Sequence, residues 1–208
     1  MPPKTKRLAA AAIAAAAAFA APASAQSTLN VICPVQAEWC NAAAVAFEKE
    51  TGIKVGMTLK GSGESFAQIA AEKANPKLDV WFGGTGDPHL QAAEQGLLEE
   101  YKSPLLAQLQ PWAQRQAEQS KYRTVGIYLG ALGIGYNTEL LAKKKVAAPA
   151  CWKDLVKPEF AGEVQMANPN ASGTAYTAIA TLVQVFGEEE AFKYLKALHR
   201  NINQYTKS

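Results

Sequence analysis

Four segments of this 208-residue chain combine glycine with hydroxyl and short polar side chains in a way that suits the capture of a small anion: Pro34 to Glu38, Gly61 to Ser65, Gly83 to Asp87, and Asn168 to Thr174. Glycine lets backbone N–H groups turn toward a ligand, and a helix that begins in such a loop adds unpaired N–H groups carrying partial positive charge. The candidate ligand contacts in these segments are Gln36, Glu38, Ser62, Gly63, Glu64, Ser65, Gly84, Thr85, Asp87, Asn170, Ser172, Gly173 and Thr174. For any one loop alone, ordinary turn and cap chemistry is the simpler explanation. It is the recurrence in four places that points to a site.

Catalytic signatures are sparse. Lys60-Gly61-Ser62-Gly63-Glu64 lacks the first glycine of G-x-S-x-G, and Gly84-Thr85-Gly86-Asp87-Pro88-His89 departs from the dinucleotide fingerprint where its last glycine should stand. A secreted α/β hydrolase or transferase using Ser62, Asp87 and His89 is the competing class, with an adhesion or structural module as a third reading. His89, alone near a helix start, reads first as structural, and His199 is more weakly placed. Two histidines far apart make a zinc site unexpected, and no cofactor is expected.

Composition narrows the partners. The net charge of +3 resides in Lys4, Lys6 and Arg7, and beyond them acidic and basic residues are equal in number. A balanced chain without a basic stripe is poorly suited to nucleic acid or an anionic membrane, where phosphate neutralisation supplies much of the affinity. At 49% hydrophobic and 19% charged, the sequence is that of a globular protein.

The cationic start, the apolar stretch from Leu8 to Ala21, and Ala23-Ser24-Ala25 fit a secretory signal peptide cleaved after Ala25. A membrane anchor needs about 20 apolar residues, longer than this alanine-rich run. Export places the chain where disulfides persist, so Cys33 and Cys40 are positioned for a bridge, the alternative being two independent buried thiols. Cys151 is then left over.

The elements that must position the loops follow from periodicity. Strands are predicted at Leu29 to Cys33, Ile53 to Leu59 and Leu78 to Phe82, each followed by a helix: Glu38 to Thr51, one carrying Phe66, Ile69 and Ala70, and one opened by Asp87 as N-cap with Pro88 at N1. Three β-then-α units predict a parallel sheet covered by helices. Val125 to Leu129 and Leu132 to Tyr136 read as strands crossing between lobes. Beyond them lie a short helix capped by Asn137, a strand at Glu163 to Met166, helices Gly173 to Phe186, with Tyr176, Ile179, Ala180 and Val183 on one face, and Glu188 to Arg200, and a further strand from Ile202. The expected organisation is thus a signal peptide over 1–25, a first α/β lobe over 26–125, a hinge over 126–137 and a partial second α/β lobe over 138–208. One or two strands cannot cover both faces of the second lobe's helices, so a longer parent chain is expected.

The signal peptide, Glu48-Lys49-Glu50-Thr51-Gly52-Ile53-Lys54-Val55, Asp79 to His89, and Asn168 to Thr174 together resemble the periplasmic substrate-binding proteins of ABC transporters, in the group that contains ferric-iron, sugar-phosphate and phosphonate binders. The resemblance implies a two-lobe, parallel-rich α/β fold of the type 2 periplasmic-binding class, and a non-enzymatic protein that closes on its solute in the interlobe cleft. It also implies an inner-membrane permease as partner, a periplasmic location, and a monomer when full length. Iron binders of the group use a His or Gln in the first loop, a Glu after the third strand and a Tyr-Tyr pair. Here Gln36 and Glu38 are present, Gly83-Gly84-Thr85 replaces the Glu position, and no Tyr-Tyr pair occurs. The leading expectation is therefore a phosphorylated or phosphonate-like anion, with ferric iron as the alternative.

Overall fold

The computed structural model describes residues 28–207, so the proposed signal peptide lies outside the described residues. A first sheet is formed by β1 (Thr28–Cys33), β2 (Lys54–Leu59) and β3 (Val80–Trp81), all parallel, in the order β2-β1-β3. Val31 lies opposite Met57 on one side and Val80 on the other, which makes β1 the central strand. Its Val31, Ile32 and Cys33 are buried and form the centre of this lobe's core. The helices follow their strands as expected: α1 (Ala37–Thr51), α2 (Ser62–Ala71) and α3 (Gly86–Glu94). Left-handed Gly52 ends α1, its N–H donating to the carbonyl of Glu48.

Helix α4 (Pro111–Gln119) has proline in its first turn, where the missing N–H costs no helix bond. Asn137 caps α5 (Thr138–Lys144), its Oδ1 accepting from the N–H of Leu140 at 2.9 Å. In the second sheet, β4 (Val164–Ala167) runs parallel to β5 (Ile202–Thr206), with a register shift at Val164/Gln165. Between them lie α6 (Gly173–Phe186) and α7 (Glu188–Asn201).

Three sequence expectations need correction. The passage Val125 to Tyr136 is not a pair of strands. A strand needs a neighbour to complete its ladder, and none of the described segments runs beside it. Helix α3 begins at Gly86 with Thr85 as N-cap, two residues earlier than Asp-Pro implied, so Asp87 sits inside the first turn. In α6 the buried side chains are Ala175 and Leu182, seven apart on one stripe, while Tyr176 is exposed. The predicted face was thus rotated by about one residue.

A cavity of about 730 Å³ lies between Leu132 to Asn137 on one side and β4, Ala175, Ala178 and Leu182 on the other. Its lining is largely apolar, and it reaches the fourth segment through Ser172 and Thr174.

Candidate functional site

In parallel βα units each helix begins just past the carboxyl end of its strand, so helix N-termini gather along one rim. Here the rims of the two sheets meet. Gly63, in the first turn of α2, donates its N–H to the carbonyl of Ala171, just before α6, at 3.1 Å. A Cβ on Gly63 would stand 3.0 Å from the carbonyl carbon of Asn170 and closer still to its oxygen. A Cβ on Gly173 would press on Thr85 Oγ1 and lie 2.8 Å from Ser62 Oγ. The N–H of Thr85, in turn, points to Ser62 Oγ at 3.4 Å. Ser62 and Gly63, Gly84 and Thr85, and Asn170 to Gly173 therefore form one cluster drawn from both sheets.

The cluster has a definite electrostatic sense. Each helix N-terminus behaves roughly as half a positive charge, and α2, α3 and α6 all begin here. Thr85 Oγ1 and Ser65 Oγ are buried without a hydrogen-bond partner. A buried hydroxyl left unpaired costs about 1–3 kcal/mol, which a solute oxygen within reach would recover. Gly83 and Gly84 have φ of +83° and +96°, conformations that side-chain-bearing residues adopt only with strain, and they turn the backbone toward α3.

The remaining candidates hold other posts. Glu64 is committed to the helix cap: its Oε2 accepts the N–H of Gly61 at 3.0 Å and its Oε1 lies 3.4 Å from Lys207 Nζ. The Gly61 N–H, with Lys207 beside it, holds this carboxyl below its ordinary value. Gln36, Glu38, Asp87, Asn170 and Thr174 are exposed around the cluster, and the first loop meets it through Pro34 and Val35, which crowd Gly84 and Gly83. Cys33 and Cys40 are joined, both fully buried, tying the end of β1 to the first turn of α1, and Cys151 is free and exposed. Sequence reasoning missed Lys207 and Tyr128, whose hydroxyl accepts from the N–H of Gly84 at 2.7 Å and donates to its carbonyl at 2.9 Å.

His89 is structural in its contacts. Its ring stacks on Trp81 at 3.8 Å and its Nε2 faces the carbonyl of Gly83 at 2.9 Å. Burial lowers its pKa from the ordinary value, the Gly83 contact opposing that shift. A histidine whose folded pKa lies below its unfolded one of about 6.5 contributes stability above that pH and loses it as pH falls through the folded pKa. Urea unfolding should accordingly show stability decreasing below about pH 6.5, and His89→Gln should flatten that dependence. An unchanged slope in the variant would remove His89 from the account.

Ser62, Asp87 and His89 do not form a catalytic relay: Asp87 is exposed, His89 faces a backbone carbonyl, and Ser62 is held by Thr85. Among the described residues no group of three or more His, Cys, Asp or Glu side chains is gathered as metal ligands would be, and no helix is long and apolar enough to cross a membrane.

Comparison with known proteins decides the family. The model for the bacterial extracellular solute-binding proteins matches residues 75–208. The chain belongs to that family. It is a family of solute-binding and not catalytic proteins. The binding protein is 48% identical over 187 residues to an uncharacterised protein of Haemophilus influenzae, covering 89% of this chain and 54% of the relative. It is also 29% identical to the Fe(3+)-binding periplasmic protein of Serratia marcescens, covering 76% of this chain and 45% of that one. Among solved structures, AfuA from Actinobacillus pleuropneumoniae, with exogenous fructose-6-phosphate bound, superposes with a TM-score of 0.80 at 46% identity, covering 88% of this chain and 58% of that one. Iron-bound HitA from Pseudomonas aeruginosa gives 0.66 at 25% identity, with 88% and 56% covered. The binding protein spans about half the length of the curated relatives it matches. The α/β, parallel-sheet fold expected from the sequence is the fold of these structures, whose relatives imply a bilobal architecture.

Proposed function

We propose that the protein is the solute-receiving component of an ABC importer, closing a lobe formed by residues 26–125 and one formed by residues 138–208, joined by 126–137, over a small phosphate-bearing anion. In this reading it is exported to the periplasm with cleavage after Ala25, acts as a monomer, and hands its solute to an inner-membrane permease. The observation that carries the reading is the convergence of α2, α3 and α6, contributed by both sheets, at hydroxyl-bearing N-termini. Three aligned N-termini favour an anion, and their N–H groups suit the several acceptor oxygens of a phosphate. The fructose-6-phosphate complex of AfuA, at 46% identity, supports it.

A second reading is ferric iron. Ferric-binding names are the more numerous among the relatives, which gives this alternative the wider backing, at 29% identity for the Serratia protein and 25% for HitA. A hard trivalent cation takes anionic oxygen ligands, and Glu38 and Asp87 are the exposed carboxylates at the rim. A thermal-shift series with fructose-6-phosphate, a phosphonate and ferric citrate separates the two. A ligand at a hundredfold its Kd adds about 2.7 kcal/mol of stability, enough to raise the midpoint by several degrees. The phosphate reading expects that rise with the sugar phosphate. A rise with ferric citrate alone would install the iron reading, and turnover of the phosphoester would return the hydrolase.

A further inference from the structure

We propose that Tyr128 is a positioning residue that couples the interlobe passage to the solute loops; the coupling, though not the contact, rests on the solute-binding reading above. Thr124, Gly126 and Tyr128 are alternate residues at the start of the passage. All three are fastened to the first lobe. The N–H of Thr124 donates to Ser120 Oγ at 3.0 Å, while Ser120 Oγ donates to the carbonyl of Thr124 at 3.2 Å. Gly126 lies so close to the ring of Trp112 that a Cβ there would stand 2.9 Å from Cε3. Tyr128 closes the series by holding both backbone groups of Gly84.

Past Tyr128 the fastening ends. Leu129 is 71% exposed, and a Cβ on Gly130, Gly133 or Gly135 would meet nothing within 4 Å. The more exposed part of the passage therefore begins at residue 129, directly beyond a side chain that grips the Gly83–Gly84 loop. The same ring meets Trp39 edge-on at 5.7 Å, on the first turn of α1. One phenol thus touches the Gly83 to Asp87 loop and the helix turn that directly follows the Pro34 to Glu38 loop. Burial raises its pKa, so the hydroxyl keeps the proton that it donates to Gly84. Rotation of the passage during lobe closure is transmitted through that hydroxyl to the backbone that aims the first N–H groups of α3.

Tyr128→Phe removes the hydroxyl and keeps the ring against Trp39. The first readout needs no solute: amide exchange at Gly84, whose N–H loses its partner, should quicken about tenfold or more while the midpoint of unfolding moves by only a few degrees. Unchanged exchange at Gly84 overturns the proposal. The second is titration with fructose-6-phosphate and with ferric citrate. Whichever probe the unaltered protein binds should bind the variant about tenfold more weakly, with slower closure in stopped-flow tryptophan fluorescence. Faster exchange with undiminished affinity and closure rate overturns the coupling. Binding of neither probe by the unaltered protein counts against the choice of solute, while exchange at Gly84 still decides whether Tyr128 holds the loop.

Discussion

Gly63→Ala is expected to weaken solute capture at least about a hundredfold, close to 2.8 kcal/mol, while leaving the unfolding midpoint nearly unchanged. The methyl group would be driven into the carbonyl of Asn170, which is backbone from the opposite lobe and cannot swing aside as a side chain would. The N–H of Gly63 would at the same time be pushed from the carbonyl of Ala171 that it now meets at 3.1 Å. Inside the first lobe the substitution is harmless or favourable, because alanine is the better helix former. Under the proposed two-lobe closure, in which this seam parts in the open state, its cost falls on closure and not on folding. Val45→Ala, on the exposed face of α1 and outside both the cluster and the passage, is the control. Titration of the two variants with the solute found by the thermal-shift series should separate them by about two decades in Kd; equal affinities would show that the lobes do not close through this seam.

The second large effect concerns the bridge. Cys33 and Cys40 are seven residues apart and fully buried, and the bond fixes the end of the central strand to the helix that follows it. By loop-closure entropy in the unfolded chain, a loop of this size contributes about 2–3 kcal/mol. The double variant Cys33→Ala, Cys40→Ala should lose that much in urea unfolding, with the midpoint shifted and the slope nearly preserved. A loss under about 0.5 kcal/mol would mean that native-state strain cancels the entropic gain. Thiol labelling of the unfolded, unreduced protein should find Cys151 alone.

The first lobe was legible because its signals are local. Alternation over Ile53 to Leu59, the stop at Gly52 and the glycine loops each follow from chemistry within a few residues, and the three strands are parallel as βα units predict, while their order β2-β1-β3 is set by packing that local pattern does not encode. The cluster was legible in part: Ser62, Gly63, Thr85, Ser172 and Gly173 carry the right residue types, but that they meet is a property of how two lobes face each other. Glu64 looked like a ligand contact because its use as a cap depends on the N–H of Gly61 three residues away and on Lys207 at the far end of the chain. Tyr128 was missed for the same reason: its partner, Gly84, is 44 residues distant. The passage from Val125 to Tyr136 misled by its β-rich composition, since residue preference favours extended backbone whether or not a neighbouring strand is there to pair with it.

The central claim, an anion held where helix N-termini from both lobes converge, is tested most directly by calorimetric titration of the protein with fructose-6-phosphate and, in parallel, with fructose. If α2, α3 and α6 receive the phosphate, the phosphorylated sugar binds one per chain and the unphosphorylated sugar binds at least about a hundredfold more weakly, a difference of 2.8 kcal/mol or more. Equal binding of the two sugars, or saturation by ferric iron with none by either sugar, would contradict it.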